Sequence, residues 1–309
     1  MTLTTRPRHL AALAVAAAAC TMLTACGNNG DSAAATDPGA AQSVTTQQVD
    51  QKLHDSLPAD IKSAGKLHIG TEALYPPFES FADDNTTIIG LDPDLAKAVG
   101  QVLGVDVQFE HTAFDGLLTA LDGGRFDLVV AAVTDTKDRE KTYDFVDYFM
   151  TGQSIVVKKG NPEGIHGVTD LCGKPVAVLK ASTQEKLLGQ FNENECAGNP
   201  IQIGSFPSDK DALLQVQSGR DVASFTQDAV GAYNSATIGG GNQFELANTE
   251  ALLPTPVGMV FQKEDSQLRD AVQAALEKLI ANGTYQEILT KYQLTSGVVD
   301  SITVNGATA

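Results

Sequence analysis

The chain has no tryptophan, only 6% aromatic residues, four cysteines, and 21 lysines and arginines against 38 aspartates and glutamates. Each shortage removes a class of explanation. A formal net charge of −17 with no basic stripe repels nucleic acid and anionic lipid headgroups. No stretch is long and apolar enough to span a bilayer, the run at 10–19 being too short. Histidines 54, 68, 111 and 166 stand singly and none lies near Cys172 or Cys196, so no metal-ligand spacing exists. The Gly239-Gly240-Gly241 run is not followed by Lys-Ser or Lys-Thr, which makes it a turn rather than a phosphate loop.

What is present begins with a leader. Arg6 and Arg8 precede the apolar run, which ends in small residues as a secretory signal does. Behind it, Leu23-Thr24-Ala25-Cys26-Gly27 resembles the lipobox of bacterial lipoproteins. That resemblance implies that residues 1–25 are removed, that Cys26 becomes the acylated first residue, and that the protein is held to the outer face of the cell membrane by lipid alone. Removal takes two arginines and no acid, moving the net charge from −17 to −19. Residues 27–49 are polar and small with no apolar period, so a flexible tether is expected over 26–58. Cys172 and Cys196, an even pair in an exported chain, read as a disulfide, with two free thiols as the alternative.

From 59 onward the chain is long enough for two ordinary domains. Its patterns predict a strand at 66–71 and a helix at 92–103, with Asp92 as cap, Pro93 in the first turn and Gly104 past the end. A strand at 105–110, a helix at 115–121 and a strand at 126–133 complete a βαβαβ unit, hence a mainly parallel sheet. A second set follows: strands at 154–158 and 175–179, a helix at 183–191, a strand at 201–206, a helix at 210–216 behind Ser208, a strand at 222–226, a helix at 228–235, and strands at 244–246 and 257–262. Helices at 266–281 and 284–292 close the chain. The class is α/β, with two parallel-sheet lobes.

One stretch has the chemistry of an anion site. Residues 131–149 read AAVTDTKDREKTYDFVDYF, a strand end, a corner of threonines and acids, and Arg139 just inside a helical turn. A guanidinium presents a planar fork that matches a carboxylate, and Thr134 and Thr136 add hydroxyls. The alternative is a surface arginine paired with Asp135, Asp138 or Glu140.

From 67 to 294 the sequence resembles the family 3 extracytoplasmic solute-binding proteins, the receptors of bacterial ABC importers for polar amino acids. GTEALYPPFES (70–80), IIGLDPDLAKAVGQVLGV (88–105), FDGLLTALDGGRFDLV (114–129), TDTKDREKTYDFVDYF (134–149), LCGKPVAVLKASTQE (171–185) and ANGTYQEILTKY (281–292) carry the likeness. It implies the type II periplasmic-binding-protein fold with a hinge crossed twice. Lobe 1 is then 59–151 plus 257–294, lobe 2 is 152–256, and 295–309 is a tail. Ligand sits in the cleft and closure buries it.

The same resemblance assigns roles. Arg139 takes the ligand carboxylate, helped by Thr134, by the backbone near Ala132 and by the helix start at Ser182 and Thr183, where Thr183 is alternatively a cap. Tyr75 and Phe114 are aromatic walls, whereas Phe78 and Phe81 read as core. Glu72, at the pocket mouth, either meets a cationic group or ties down its loop. The family places an aspartate where this chain has Gln227 without a gap and Asp228 with a one-residue shift, the reading preferred. No cofactor or metal is expected. The expected partners are the ligand, the permease and its ATPase. A rival reading, a small-acid dehydratase, finds no histidine or cysteine in the cleft motifs and only Glu72 and Asp228 for acid–base work.

Overall fold

The computed structural model describes residues 44–248 and 250–308; the leader, Cys26 and the tether up to 43 fall outside them. Two short helices, α1 (Gln51–Ser56) and α2 (Ala59–Ala64), lead into strand β1 (Lys66–Thr71). A small antiparallel sheet of β2 (Leu74–Tyr75), β3 (Glu79–Phe81) and β4 (Ile88–Ile89) comes next. Helix α3 (Leu91–Leu103), β5 (Asp106–His111), α4 (Phe114–Asp122) and β6 (Leu128–Val129) complete the first run of lobe 1. β1 pairs in parallel with both β5 and β6. Alternate side chains leave the two faces: Leu67, Ile69, Leu128 and Val130 join one core, while Val129, Ala131 and Val133 join another with Leu117 and Leu121 of α4.

The expected cap of α3 is corrected. The helix starts behind Gly90 (φ 137°), and Asp92 lies inside it, fully buried, accepting the Tyr148 hydroxyl at 2.6 Å and the Ala132 N–H at 2.9 Å. Gly104 does end the helix in the left-handed conformation (φ 68°), as its position predicts.

Strand β7 (Tyr143–Lys158) then runs through 16 residues where the local pattern suggests only 154–158. Lobe 2 follows with β8 (Pro175–Leu179), α5 (Thr183–Glu193), β9 (Gln202–Phe206), α6 (Asp209–Ser218), β10 (Ala223–Gln227), α7 (Asp228–Thr237) and β11 (Phe244–Leu246). The chain returns through β12 (Leu252–Gln262) to α8 (Ser266–Ala281) and α9 (Thr284–Lys291). In lobe 2, β8 pairs in parallel with β9 and β10. Ile155 and Val157 meet Val176, Val178, Leu188 and Phe225 on one face, and Val156 meets Leu213, Val216 and Phe244 on the other. Cys172 and Cys196 are joined by a disulfide at the edge of this lobe.

β7 and β12 are the two crossings. They pair antiparallel from Tyr143–Gln262 to Gln153–Leu252, and β7 then pairs with β10 from Gln153 to Val157. Each parallel lobe sheet therefore gains an antiparallel hinge strand, and the strand order runs β5-β1-β6-β12-β7-β10-β8-β9. The expected lobe boundaries, 151/152 and 256/257, fall within these two strands.

Two segments depart from the sequence reading. Residues 44–58, expected as tether, are bound to lobe 1: Thr45 donates twice to Glu287, Gln47 donates to Thr284 at 2.9 Å, Asp50 pairs with Lys278 at 2.7 Å, and Val44 and Leu53 pack on the core. Polar bonds hold this strap, which is why no apolar period announces it. The expected tail also folds back, with β13 (Thr303–Val304) paired to Asp147 and Val146 of β7 and the Gly306 N–H donating to Asp147 at 2.9 Å.

Candidate functional site

Arg139 opens a short 3-10 turn (Arg139–Lys141), and its N–H bonds the Thr136 hydroxyl at 3.2 Å. Its half-buried guanidinium faces both lobes. It donates to the Thr134 carbonyl of lobe 1 at 2.8 Å, and to the Thr183 hydroxyl at 3.1 Å and the Ala181 carbonyl at 3.5 Å in lobe 2. The Phe114 ring lies 6.0 Å below it. Burial draws its pKa down to about 10, opposed by Asp135 and Asp138, so it keeps its charge at neutral pH. The surface ion pair that its sequence neighbours suggest does not form; Lys141 and Lys186 take Asp138, and Lys137 takes Glu140.

The lobe 2 side is a helix start. Ser182 caps α5, accepting the Glu185 N–H at 3.1 Å and donating to the Leu179 carbonyl at 2.6 Å. Thr183 is therefore the first helical residue and not the cap, and its hydroxyl is turned to Arg139. First-turn N–H groups of a helix have no internal partner and favour an anion. Ala181 (φ 60°) and Ala132 (φ 45°) both sit in the left-handed region, and each directs its carbonyl to a cleft side chain of the opposite lobe.

Across the cleft, the Gln227 amide donates to the Ala132 carbonyl at 2.9 Å and to the Thr134 hydroxyl at 3.4 Å. The Tyr75 hydroxyl lies 3.2 Å from the Thr226 hydroxyl and accepts the Gln227 N–H at 3.4 Å. Lys180–Asp115 and Lys186–Asp138 bridge the rim at 2.9 and 3.0 Å. The lobes are thus in contact. Tyr75, Phe114, Ala132, Thr134, Arg139, Ser182, Thr183 and Gln227 enclose one cavity with Leu179 and Gln184, of about 10 Å³. That is room for about one water, so a larger guest enters only when the lobes part.

Two expected residues lie elsewhere. Asp228 is outside this cavity and receives the Thr151 hydroxyl at 2.7 Å and the Gly152 N–H at 2.8 Å, tying α7 to hinge strand β7. β10 ends at Gln227 and α7 begins at Asp228, so the two neighbours are sent different ways, Gln227 to the cavity lining and Asp228 to the hinge strand. Glu72 is not at a mouth but 1% exposed and outside the cavity lining. Burial, and then the charge of Asp209, push its pKa up to about 8.

Asp209 carries no local signal in the sequence, reading only as a first-turn acid behind the cap Ser208. It is 2% exposed, accepts the Asn234 amide at 3.1 Å, and is raised to about 6 by burial. It lines a second cavity between the lobes, of about 590 Å³, with Leu74, Pro76, Phe81 and Leu213.

Known proteins resemble this chain in sequence and in fold. The chain is 30% identical to the histidine-binding periplasmic protein of Salmonella typhimurium over 74% of its own length and 87% of that protein. It is 30% identical to the L-cystine-binding protein TcyA of Bacillus subtilis, over 80% and 88% of the two chains. An ancestral arginine-binding protein bound to arginine superposes with a TM-score of 0.67 at 36% identity, covering 74% of this chain and 98% of that one. The family model for bacterial extracellular solute-binding proteins, family 3, matches residues 67–295, and the chain belongs to that family.

Proposed function

We propose that the protein is a lipid-anchored extracytoplasmic receptor that captures a polar amino acid, of the glutamate/glutamine or basic type, by hinge closure and delivers it to the permease and ATPase of an ABC importer. The observation that carries this reading is Arg139, whose guanidinium bonds Thr134 in lobe 1 and Thr183 and Ala181 in lobe 2. A carboxylate seated on that fork is gripped from both lobes, so binding and closing become one event. Cys26 supplies the lipid anchor, and the tethered receptor stays beside the membrane partner that unloads it.

A second reading, a betaine or organic-acid receptor, is favoured by Gln227. The neutral amide stands in the cavity lining where an ammonium calls for an acid. A dehydratase has less support, since no histidine, cysteine or carboxylate lines that cavity.

A thermal-shift screen of the intact protein against the common amino acids, several betaines and several organic acids separates these readings. A ligand at one hundred times its Kd adds ~2.7 kcal/mol to the folded state, a shift of several degrees. A shift with α-amino acids that is lost in Arg139→Ala supports the first reading. Shifts confined to betaines or organic acids move the protein to the second, and no shift with any carboxylate overturns both.

A further inference from the structure

Segment 303–307 lies outside residues 67–295, the span that the family model matches, yet it reaches the turn that carries Arg139. One part of it is laid on hinge strand β7. Thr303 and Val304 pair with Asp147 and Val146, and the Asn305 N–H donates to the Phe145 carbonyl at 3.1 Å. The Asn305 side chain accepts the Phe145 N–H at 2.9 Å and donates to Asp144 at 3.0 Å. Asp147 fastens the segment further, accepting the Thr303 hydroxyl at 3.1 Å and the Gly306 N–H at 2.9 Å. At the far end, the Ala307 N–H donates to Asp135 at 3.0 Å and to Glu140 at 3.2 Å. Asp135 in turn donates its N–H to the Pro256 carbonyl of β12 at 2.9 Å, so the turn is joined to both hinge crossings. The turn's own bonds are short-range: Glu140 N–H to the Thr136 carbonyl, Arg139 N–H to the Thr136 hydroxyl, Lys137 to Glu140 and Lys141 to Asp138. Its links to lobe 2, through Arg139 and through Lys186–Asp138, last only while the lobes touch. A guest enters when the lobes part, and the guanidinium must then be aimed from lobe 1 alone. A fork displaced by about 1 Å loses its two-bond match to a carboxylate.

Resting on the carboxylate reading of Arg139, we propose that segment 303–307 is a clasp that positions Arg139 for capture, and that the carboxyls of Asp135, Glu140 and Asp147 beneath it make the clasp pH-sensitive. Asp135 and Glu140 converge on one N–H, and Asp147 stands with them, its Oδ1 so close to β12 that a Cβ on Gly258 would lie 2.8 Å from it. Asp135 and Asp147 are 0% and 2% exposed, and Oδ1 of each is buried without a hydrogen-bond partner among the described residues. Carboxylates this close do not all ionise together. Burial, and then the charges of Asp147 and Glu140, push Asp135 up to about 7. The cations around the cluster are engaged: Lys137 pairs with Glu140 at 2.8 Å and offsets part of the charge on Asp147, Lys263 and Arg269 take Asp144, and Arg139 is turned to Thr134 and lobe 2. Below about pH 7 a proton keeps Asp135 neutral and the clasp holds. As pH rises through that value the three carboxylates repel, and the turn loosens from the hinge strands.

Hydrogen–deuterium exchange of the intact protein and of a chain stopped after Ile302 reads the clasp without any ligand. Amides of 135–142 are expected to exchange about tenfold faster in the stopped chain, with those of β8 in lobe 2 unchanged; equal protection of 135–142 overturns the proposal. Calorimetry with L-arginine, L-glutamine and glycine betaine then reads the positioning. Each of the three that wild type binds is expected to bind about tenfold more weakly to the stopped chain. Ala307→Pro, which removes the N–H that Asp135 and Glu140 share, is expected to act in the same direction and replaces the stopped chain if that does not fold. Wild-type affinity is expected to fall about threefold from pH 6 to pH 8, and Asp135→Asn to bring that ratio to about one, a change that a merely structural contact would not produce. Unchanged affinity in both the stopped chain and Ala307→Pro, or the wild-type pH ratio in Asp135→Asn, overturns the proposal, while loss of binding in Arg139→Ala keeps the carboxylate reading. If Arg139→Ala binds as wild type does, or if none of the three and no other carboxylate binds, the carboxylate reading falls and the positioning role falls with it.

Discussion

Arg139 gains its importance from where its bonds end: one on its own lobe and two on the other. Arg139→Ala is expected to weaken carboxylate binding by ~2–5 kcal/mol, read by calorimetry, with an unchanged unfolding midpoint as the control for folding. Gln227 offers the converse change. Its amide already faces the Ala132 carbonyl and Thr134 hydroxyl, so Gln227→Asp places a charge where an ammonium arrives and is expected to favour α-amino acids over betaines and organic acids by ~1.5–3 kcal/mol, read as the ratio of their Kd values. At this scale the sequence was informative where a motif has a fixed chemical demand, as at Arg139 and Thr134. It was uninformative where one-residue register decides: Gln227 and Asp228 are rival candidates until the end of β10 sends one to the cleft and the other to Thr151. Asp209 was hidden because the residues that enclose a cavity with it, Leu74, Pro76 and Phe81, come from the other lobe.

Elements were legible in proportion to how local their causes are. α3 ends at Gly104, α5 starts behind Ser182 and α6 behind Ser208 because capping is decided within a few residues. β7 was legible only in part. Its middle, Met150-Thr151-Gly152-Gln153, breaks the apolar run, and the strand persists there because β12, about a hundred residues later in the chain, pairs with it. Close approach of the hinge strands also demands glycine: a Cβ on Gly152 would stand 2.8 Å from the Leu252 carbonyl oxygen. The Cys172–Cys196 bridge belongs to this scale as well, tying the start of β8 to the end of α5 across a separation of 24 residues. Reduction is expected to destabilise the protein by about 3 kcal/mol in denaturant titrations while Arg139 keeps its lobe 1 partner; an unchanged midpoint would exclude a stabilising role.

Over the whole molecule, acids divide into two populations with opposite pH dependence. Glu72 (about 8), Asp135 (about 7), and Asp92, Asp147 and Asp209 (each about 6) are raised, chiefly by burial. Folded protein therefore holds protons that the unfolded chain releases near pH 4, so stability is lost as pH rises from about 4 to about 8. Asp50, Asp84, Asp138 and Asp144 are lowered, chiefly by hydrogen bonds, among them those of lysine partners at Asp50, Asp138 and Asp144, and their contribution is lost as pH falls below the ordinary carboxylate range. The thermal midpoint is expected to peak near pH 5 and to decline toward pH 8, and Glu72→Gln is expected to flatten the upper part of that decline; a midpoint that climbs from pH 5 to pH 8 would contradict the burial of these carboxyls. Both described ends of the chain lie on lobe 1, the 44–58 strap on its helices and β13 on its hinge strand, while lobe 2 enters by β7 and leaves by β12. A sensor surface that grips the protein by either end consequently holds one jaw and leaves the other free to swing, and a dye pair reports closing only when at least one dye is placed between the two crossings.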